Sequence, residues 1–276
     1  METDSRPLEI TILTIATGKY WRYFLQMLKE FDSLLPGDYR YQVIVYEDTN
    51  EEIAKGDIPP RCELTRLKSS YGTEWKLITL KRYAEIHKAD KSILGRRFLW
   101  LDADTAWSNP FDITLLNRDL RLTKHPDYQI GLFTSRSQKV FSFFERLKII
   151  VSAYKALQLR TGGWSNCPNA AFYVPKNRRR NYAHAAIWGG PTETVLSMCR
   201  ELAARVEIDL AAGEFGAWMD EEYINWWASF REFKWFPKNI EGYARFAATP
   251  RNRSIFLSLD KNSMDLHPHS GKRFLK

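Results

Sequence analysis

The 276-residue chain has only three cysteines, Cys62, Cys167 and Cys199. They are odd in number, lie far apart and lack metal-ligand spacing, which argues against a disulfide framework or a cysteine zinc site. Free thiols in a reducing compartment are the expectation. Long apolar runs are missing as well. No signal peptide or transmembrane stretch is present, and the polar Met1–Pro7 leads straight into a strand, so a cytoplasmic location is expected. Internal repeats, low-complexity tracts and a convincing linker are also missing, which makes one domain the default. The net charge of +8 calls for an anionic partner, either nucleic acid, a phosphorylated small molecule or an anionic membrane surface. Basic residues are scattered, the densest run being Arg178-Arg179-Arg180, and no nucleic-acid motif appears, so nucleic acid is not expected.

What is present suits a globular α/β protein. Hydrophobic residues make up 44% of the chain and charged residues 27%, enough for a substantial core. Aromatic residues reach 14%, with ten tryptophans, whose flat amphipathic faces suit sugar rings or bases. Glu9–Ala16 alternates apolar and small polar residues and predicts a strand. Tyr20, Phe24, Leu28 and Phe31 then form a helical stripe that ends near Pro36-Gly37. Tyr41–Tyr46 is a second strand. This strand–helix–strand opening is the unit of a parallel sheet that binds ligands at its strand C-termini.

Residues 49–61 read as a polar loop, and 74–89 as a helix with Trp75, Ile78, Arg82 and Ile86 on one face. Residues 129–133 and 170–175 read as short strands, and 191–206 as a helix. Residues 137–159 form a long amphipathic helix with a basic side. A core helix with a solvated face is the first reading, and peripheral membrane contact is the sharper one.

The most informative stretch is Phe98-Leu99-Trp100-Leu101-Asp102-Ala103-Asp104, a buried strand that ends in two carboxylates. In an extended segment residues i and i+2 share a face, so Asp102 and Asp104 are expected to converge on a divalent cation that also holds a phosphate. The alternative is a strand running into a solvated acidic turn.

Three stretches in order resemble family 6 glycosyltransferases, the α-1,3-galactosyltransferases and histo-blood-group A and B transferases. Asp102-Ala103-Asp104 matches the family's Asp-x-Asp. His184-Ala185-Ala186-Ile187-Trp188-Gly189-Gly190 is close to His-Ala-Ala-Ile-Phe-Gly-Gly of the galactosyltransferases. Trp218-Met219-Asp220-Glu221 resembles Trp-His-Asp-Glu, with Asn225 placed as the family's Asn is. Ala16, Gly18 and Tyr20, the Trp75-to-Arg82 spacing, and His125-Pro126 are weaker matches.

The resemblance implies a single GT-A domain over residues 1–276. Its Rossmann-like nucleotide-sugar-binding half covers about 9–134, and its acceptor-binding and catalytic half about 135–276. It implies a retaining hexosyltransferase using UDP-galactose, an oligosaccharide or glycolipid acceptor, and Mn²⁺ (Mg²⁺ as the alternative ion) on Asp102 and Asp104. Ile15, Ala16, Thr17, Tyr20, Trp75, Arg82 and Ala103 would contact the donor nucleotide. His184, Ala185 and Ala186 would contact its sugar, and their identity resembles galactose users more than N-acetylgalactosamine users. Glu221 would act at the reacting carbon, Asp220 would hold sugar hydroxyls, and His125 and Trp218 would meet the acceptor. N-acetylgalactosamine as the donated sugar, or glycan binding without turnover, are the alternatives. Met219 departs from the family His, and the C-terminal cations have no assignable counterpart. Left without the resemblance, Asp220, Glu221 and Glu222 would read as the solvated acidic start of a helix.

Overall fold

A computed structural model of the chain describes residues 8–35, 37, 39–69, 75–107, 109–125, 164–179, 181–214, 219–237, 240–243 and 256–258. The predicted helix at 137–159, the predicted strand at 129–133 and Trp218 lie outside the described residues. So does the side chain of Trp75.

Four strands build the parallel part of a seven-stranded sheet: β1 (Leu8–Ala16), β2 (Arg40–Glu47), β3 (Cys62–Lys68) and β4 (Arg97–Leu101). The remaining three are β6 (Arg121–Lys124), β7 (Ala183–Pro191) and β8 (Lys234–Trp235), and the spatial order is β3-β2-β1-β4-β7-β6-β8. Strand β7 runs antiparallel to both β4 and β6. A second, three-stranded sheet joins β5 (Thr105–Trp107), β10 (Phe256–Ser258) and β9 (Glu241–Tyr243). The large sheet thus takes strands from both predicted halves of the chain.

Helices cover both faces. Helix α1 (Tyr20–Leu34) packs Trp21, Phe24, Met27, Leu28 and Phe31 against Ile10 and Ile12 of β1 and Leu99 and Leu101 of β4. On the opposite face Leu13, Phe98 and Trp100 meet α2 (Trp75–Lys88), α3 (Thr192–Ala212) and α4 (Asp220–Phe230). The alternation of β1 and β4 between these two cores is the period-2 pattern of a sheet buried on both sides. No helix among the described residues is long and apolar enough to cross a membrane.

Several expectations need correction. The end of the 49–61 loop leads into β3, whose Cys-Glu-Leu-Thr-Arg-Leu-Lys sequence is half-charged because the strand lies at the sheet edge. Residues 170–175 form turns rather than a strand, with Tyr173 N–H bonded to the Ala170 carbonyl at 3.0 Å. The helix predicted to end at Val206 continues to Ala212 and stops at Gly213, whose φ of +71° is the left-handed conformation that closes helices.

Gly189 sits where β7 passes between β4 and β6, opposite Leu99 and Arg121. A Cβ there would run into the Phe98 carbonyl oxygen. Gly189→Ala is therefore expected to lower stability by about 1–3 kcal/mol, the range for overpacking a dense core. Urea denaturation would test this, and an unchanged midpoint would refute the close approach.

Candidate functional site

The parallel order β3-β2-β1-β4 reverses direction of growth at β1, so the C-terminal ends of β1 and β4 flank a topological switch point. Open α/β sheets bind their ligands in such crevices. On the β1 side Ile15 and Tyr20 are half-buried, and Ala16 and Thr17 are buried. Gly18 N–H donates to Asp48 Oδ1 at 2.8 Å, tying the ends of β1 and β2 together.

On the β4 side the acidic pair does not lie in extended backbone. Residues 102–104 form a turn closed by Thr105 N–H on the Asp102 carbonyl at 3.0 Å, so strand alternation does not set their directions. The Asp102 side chain is 29% exposed, while Ala103 and Asp104 are buried. Asp102 Oδ1 accepts from Trp100 Nε1 at 3.0 Å and from Arg82 Nη1 at 3.3 Å.

Arg82 is the hub. Its guanidinium lies 4.5 Å from the centre of the Trp100 ring and forms ion pairs with Asp102 at 3.3 Å and Asp220 at 3.1 Å. It also donates to the Thr79 and Ala185 carbonyls. Burial works against its charge, but Asp220 and then Asp102 outweigh that and raise its pKa. Burial pushes Asp220 up to about 6; Arg82 opposes that shift, and the neighbouring Asp102 charge adds to it. Tyr83 Oη donates to the Asp220 carbonyl at 2.8 Å, fixing the first residue of α4 from its backbone.

Strand β7 supplies the opposite wall. Its register against β6 breaks between Leu122 and Thr123, which pair with Trp188 and His184 respectively. Residues 185–187 therefore leave the β6 ladder, as bulged residues near binding sites often do. Their backbone groups turn to other partners. The Ala185 carbonyl meets Arg82 and Trp188 Nε1, the Ala186 carbonyl accepts from Asp102 N–H, and Ala185 N–H donates to Glu221 Oε1 at 3.4 Å.

The acids at the start of α4 are not solvated. Asp220 and Glu222 are buried, and the Glu221 side chain is only 13% exposed. Glu221 Oε1 stands 3.6 Å from His184 Nε2 and 3.8 Å from His125 Nε2. The two imidazoles meet edge to face, 4.8 Å apart, because His125 continues β6 beside β7. Burial raises Glu221 to about 8, against the opposing effect of His184. Met219, which precedes these acids, has φ 48° and ψ −118°, a strained conformation for a residue with a side chain.

Sequence reasoning missed how these parts are joined. Asn225 bonds both backbone groups of Ala183, at 2.7 and 2.8 Å, and caps the Glu221 carbonyl at 2.8 Å. It clamps α4 to β7. Trp100 lies two residues before Asp102, a spacing that could have pointed to their contact. The stack of Trp100 on Trp188, 5.7 Å apart and nearly parallel, had no local signal.

Two stability measurements test this electrostatic arrangement. Arg82→Met strands two carboxylates and is expected to cost about 3–5 kcal/mol, as breaking buried pairs does; a loss below 1 kcal/mol (about the value of an exposed pair) would show the site to be solvated. Glu221 keeps its proton in the folded chain up to about pH 8, whereas an unfolded glutamate releases it near 4.5. The folded state then holds more protons across that window, so stability falls as pH rises through it. Glu221→Gln is expected to match the wild type near pH 4 and exceed it by on the order of a few kcal/mol above about pH 8. Denaturation across pH checks this, and a pH-independent difference would contradict it.

No protein-family model matches the chain. It is 24% identical over 232 residues to the globoside alpha-1,3-N-acetylgalactosaminyltransferase 1 of Gallus gallus, a match covering 82% of this chain. The chain spans 59% of that relative's length. The ordered motifs, the mixed sheet and a match over most of the residues agree: the chain is similar to an alpha-1,3-glycosyltransferase, and its α/β fold is consistent with the GT-A type.

Proposed function

We propose that the protein is a glycosyltransferase that moves galactose from UDP-galactose to a hydroxyl of a glycan or glycolipid, in α-1,3 linkage and with retention of configuration. One observation carries the reading. Arg82 links the acidic turn at the switch point to the first residue of α4, so the diphosphate end and the transfer end form one connected site.

In this reading Ile15, Ala16, Thr17, Tyr20 and Trp75 contact the uridine, with Ala103 beside it. Asp102 and Asp104 would hold Mn²⁺ or Mg²⁺, an all-oxygen pair suited to a hard cation. Asp102 Oδ1 is already engaged, whereas Oδ2 bonds no described residue, which leaves a ligand atom for the ion. When bound, such an ion neutralises charge on the departing diphosphate. Arg82 fixes the direction of Asp102 and Asp220 and adds a buried positive charge. Asp220 holds hydroxyls of the donated sugar. His184, Ala185 and Ala186 shape the sugar pocket, where the small alanines resemble the galactose users.

Glu221 stands at the reacting carbon. Burial holds its proton up to about pH 8 in the folded chain, so the role requires that proton to leave. Once ionised, the carboxylate stabilises the positive charge that develops as the sugar leaves its nucleotide, as carboxylates do in retaining glycosidases. Ala185 N–H and the two histidines orient it. His125 would meet the acceptor, and the resemblance assigns Trp218 the same task.

The test is transfer from UDP-galactose and UDP-N-acetylgalactosamine to a glycan panel with Mn²⁺. Galactose transfer should dominate, and Glu221→Ala should lower it by at least about a hundredfold, as losing a transition-state charge contact does. UDP affinity should persist in that variant. Asp102→Asn should abolish the metal dependence of UDP binding. Preferred N-acetylgalactosamine transfer would reassign the donor, and UDP binding without turnover from either donor would make the protein a binding module.

A further inference from the structure

We propose that His125, His184 and Glu221 form a second cation site, which takes Zn²⁺ and withdraws Glu221 from sugar transfer. One ligand atom from each of the three residues lies within 4.8 Å of the others. Both Nε2 atoms stand 3.6–3.8 Å from Glu221 Oε1. Zinc bonds of about 2.0–2.1 Å in a tetrahedral array place neighbouring ligands roughly 3.3 Å apart, so small side-chain rotations close the set.

A second observation points to a ligand. Among the described residues Glu221 Oε2 is buried without a hydrogen-bond partner, an unfavourable state for a carboxylate oxygen. A cation on this side chain would satisfy it.

The supports are rigid. His125 and His184 come from paired ends of β6 and β7, and Asn225 clamps the Glu221 turn of α4 onto β7. Three protein ligands leave a fourth position open to water or an acceptor hydroxyl, the pattern of open zinc sites.

The chemistry separates this site from the acidic turn. Asp102 and Asp104 offer oxygen alone, which suits Mn²⁺ or Mg²⁺. Two imidazoles with one carboxylate suit zinc, which such nitrogen ligands bind more tightly than manganese. The two ions would therefore sort between the sites.

Calorimetric titration of the protein with zinc alone should show binding of one ion. His125→Gln and His184→Gln should each weaken it by more than about tenfold, while Asp102→Asn leaves it unchanged. Zinc X-ray absorption of the wild-type complex should show imidazole nitrogen and oxygen without sulfur, a result independent of whether the variants fold. Binding unaffected by both histidine changes, or sulfur in the shell, overturns the site.

The inhibitory role alone rests on the reading of Glu221 as the transfer carboxylate. Transfer that continues at saturating zinc overturns that role. Zinc bound as described in a chain that transfers no sugar upholds the site and counts against the transferase reading instead.

Discussion

A single buried cation shared by two carboxylates organises the site. Arg82 lies on α2, Asp102 follows β4 and Asp220 opens α4, so one guanidinium ties together three elements that are distant in sequence. Leaving a charge at that depth without partners would be costly. Trp100 covers one face of the guanidinium, and the Thr79 and Ala185 carbonyls take further N–H groups. The arrangement is satisfied only when all the surrounding elements are in place. Burial also matters for chemistry: it raises Asp220 and Glu221 more than the charges of Arg82 and His184 lower them, so both acids hold their protons more firmly than surface acids do.

Strand β7 carries the same logic into the backbone. Gly189 lets it run against β4, and the Trp188 ring then stacks on Trp100 and Phe98. Farther toward its N-terminal end the strand departs from the β6 ladder, and Ala185 and Ala186 direct their peptide groups at Glu221, Arg82 and Asp102. A regular strand would spend those groups on its neighbours. The bulge makes them available to the site, and the tight packing at Gly189 holds it there.

Much of the fold was legible because its residues obey local rules. The alternation in β1 and the helical stripe of α1 reflect burial on defined faces, and the structure has both elements where the patterns lie. Strand β3 was harder to read since an edge strand with one neighbour tolerates Glu63, Arg66 and Lys68, which hide its period. Tyr173 and its neighbours mimicked a strand in composition, but the Tyr173 N–H closes a turn on Ala170 while Ala171 bonds the side chains of Asp209 and Arg205.

The sequence by itself determined the chemistry on offer: an acidic pair after a buried strand, a His-Ala-Ala stretch and a second acidic pair before a tryptophan-rich helix. It also determined their order, from which the resemblance to family 6 glycosyltransferases was read. Only the tertiary structure decided that Asp102 is held by Arg82, that His125 stands beside His184, and that the acids opening α4 are buried. Each of these contacts joins residues whose separation along the chain exceeds any helical or strand period. No local pattern encodes them, and they arise where β4, β6, β7, α2 and α4 pack together.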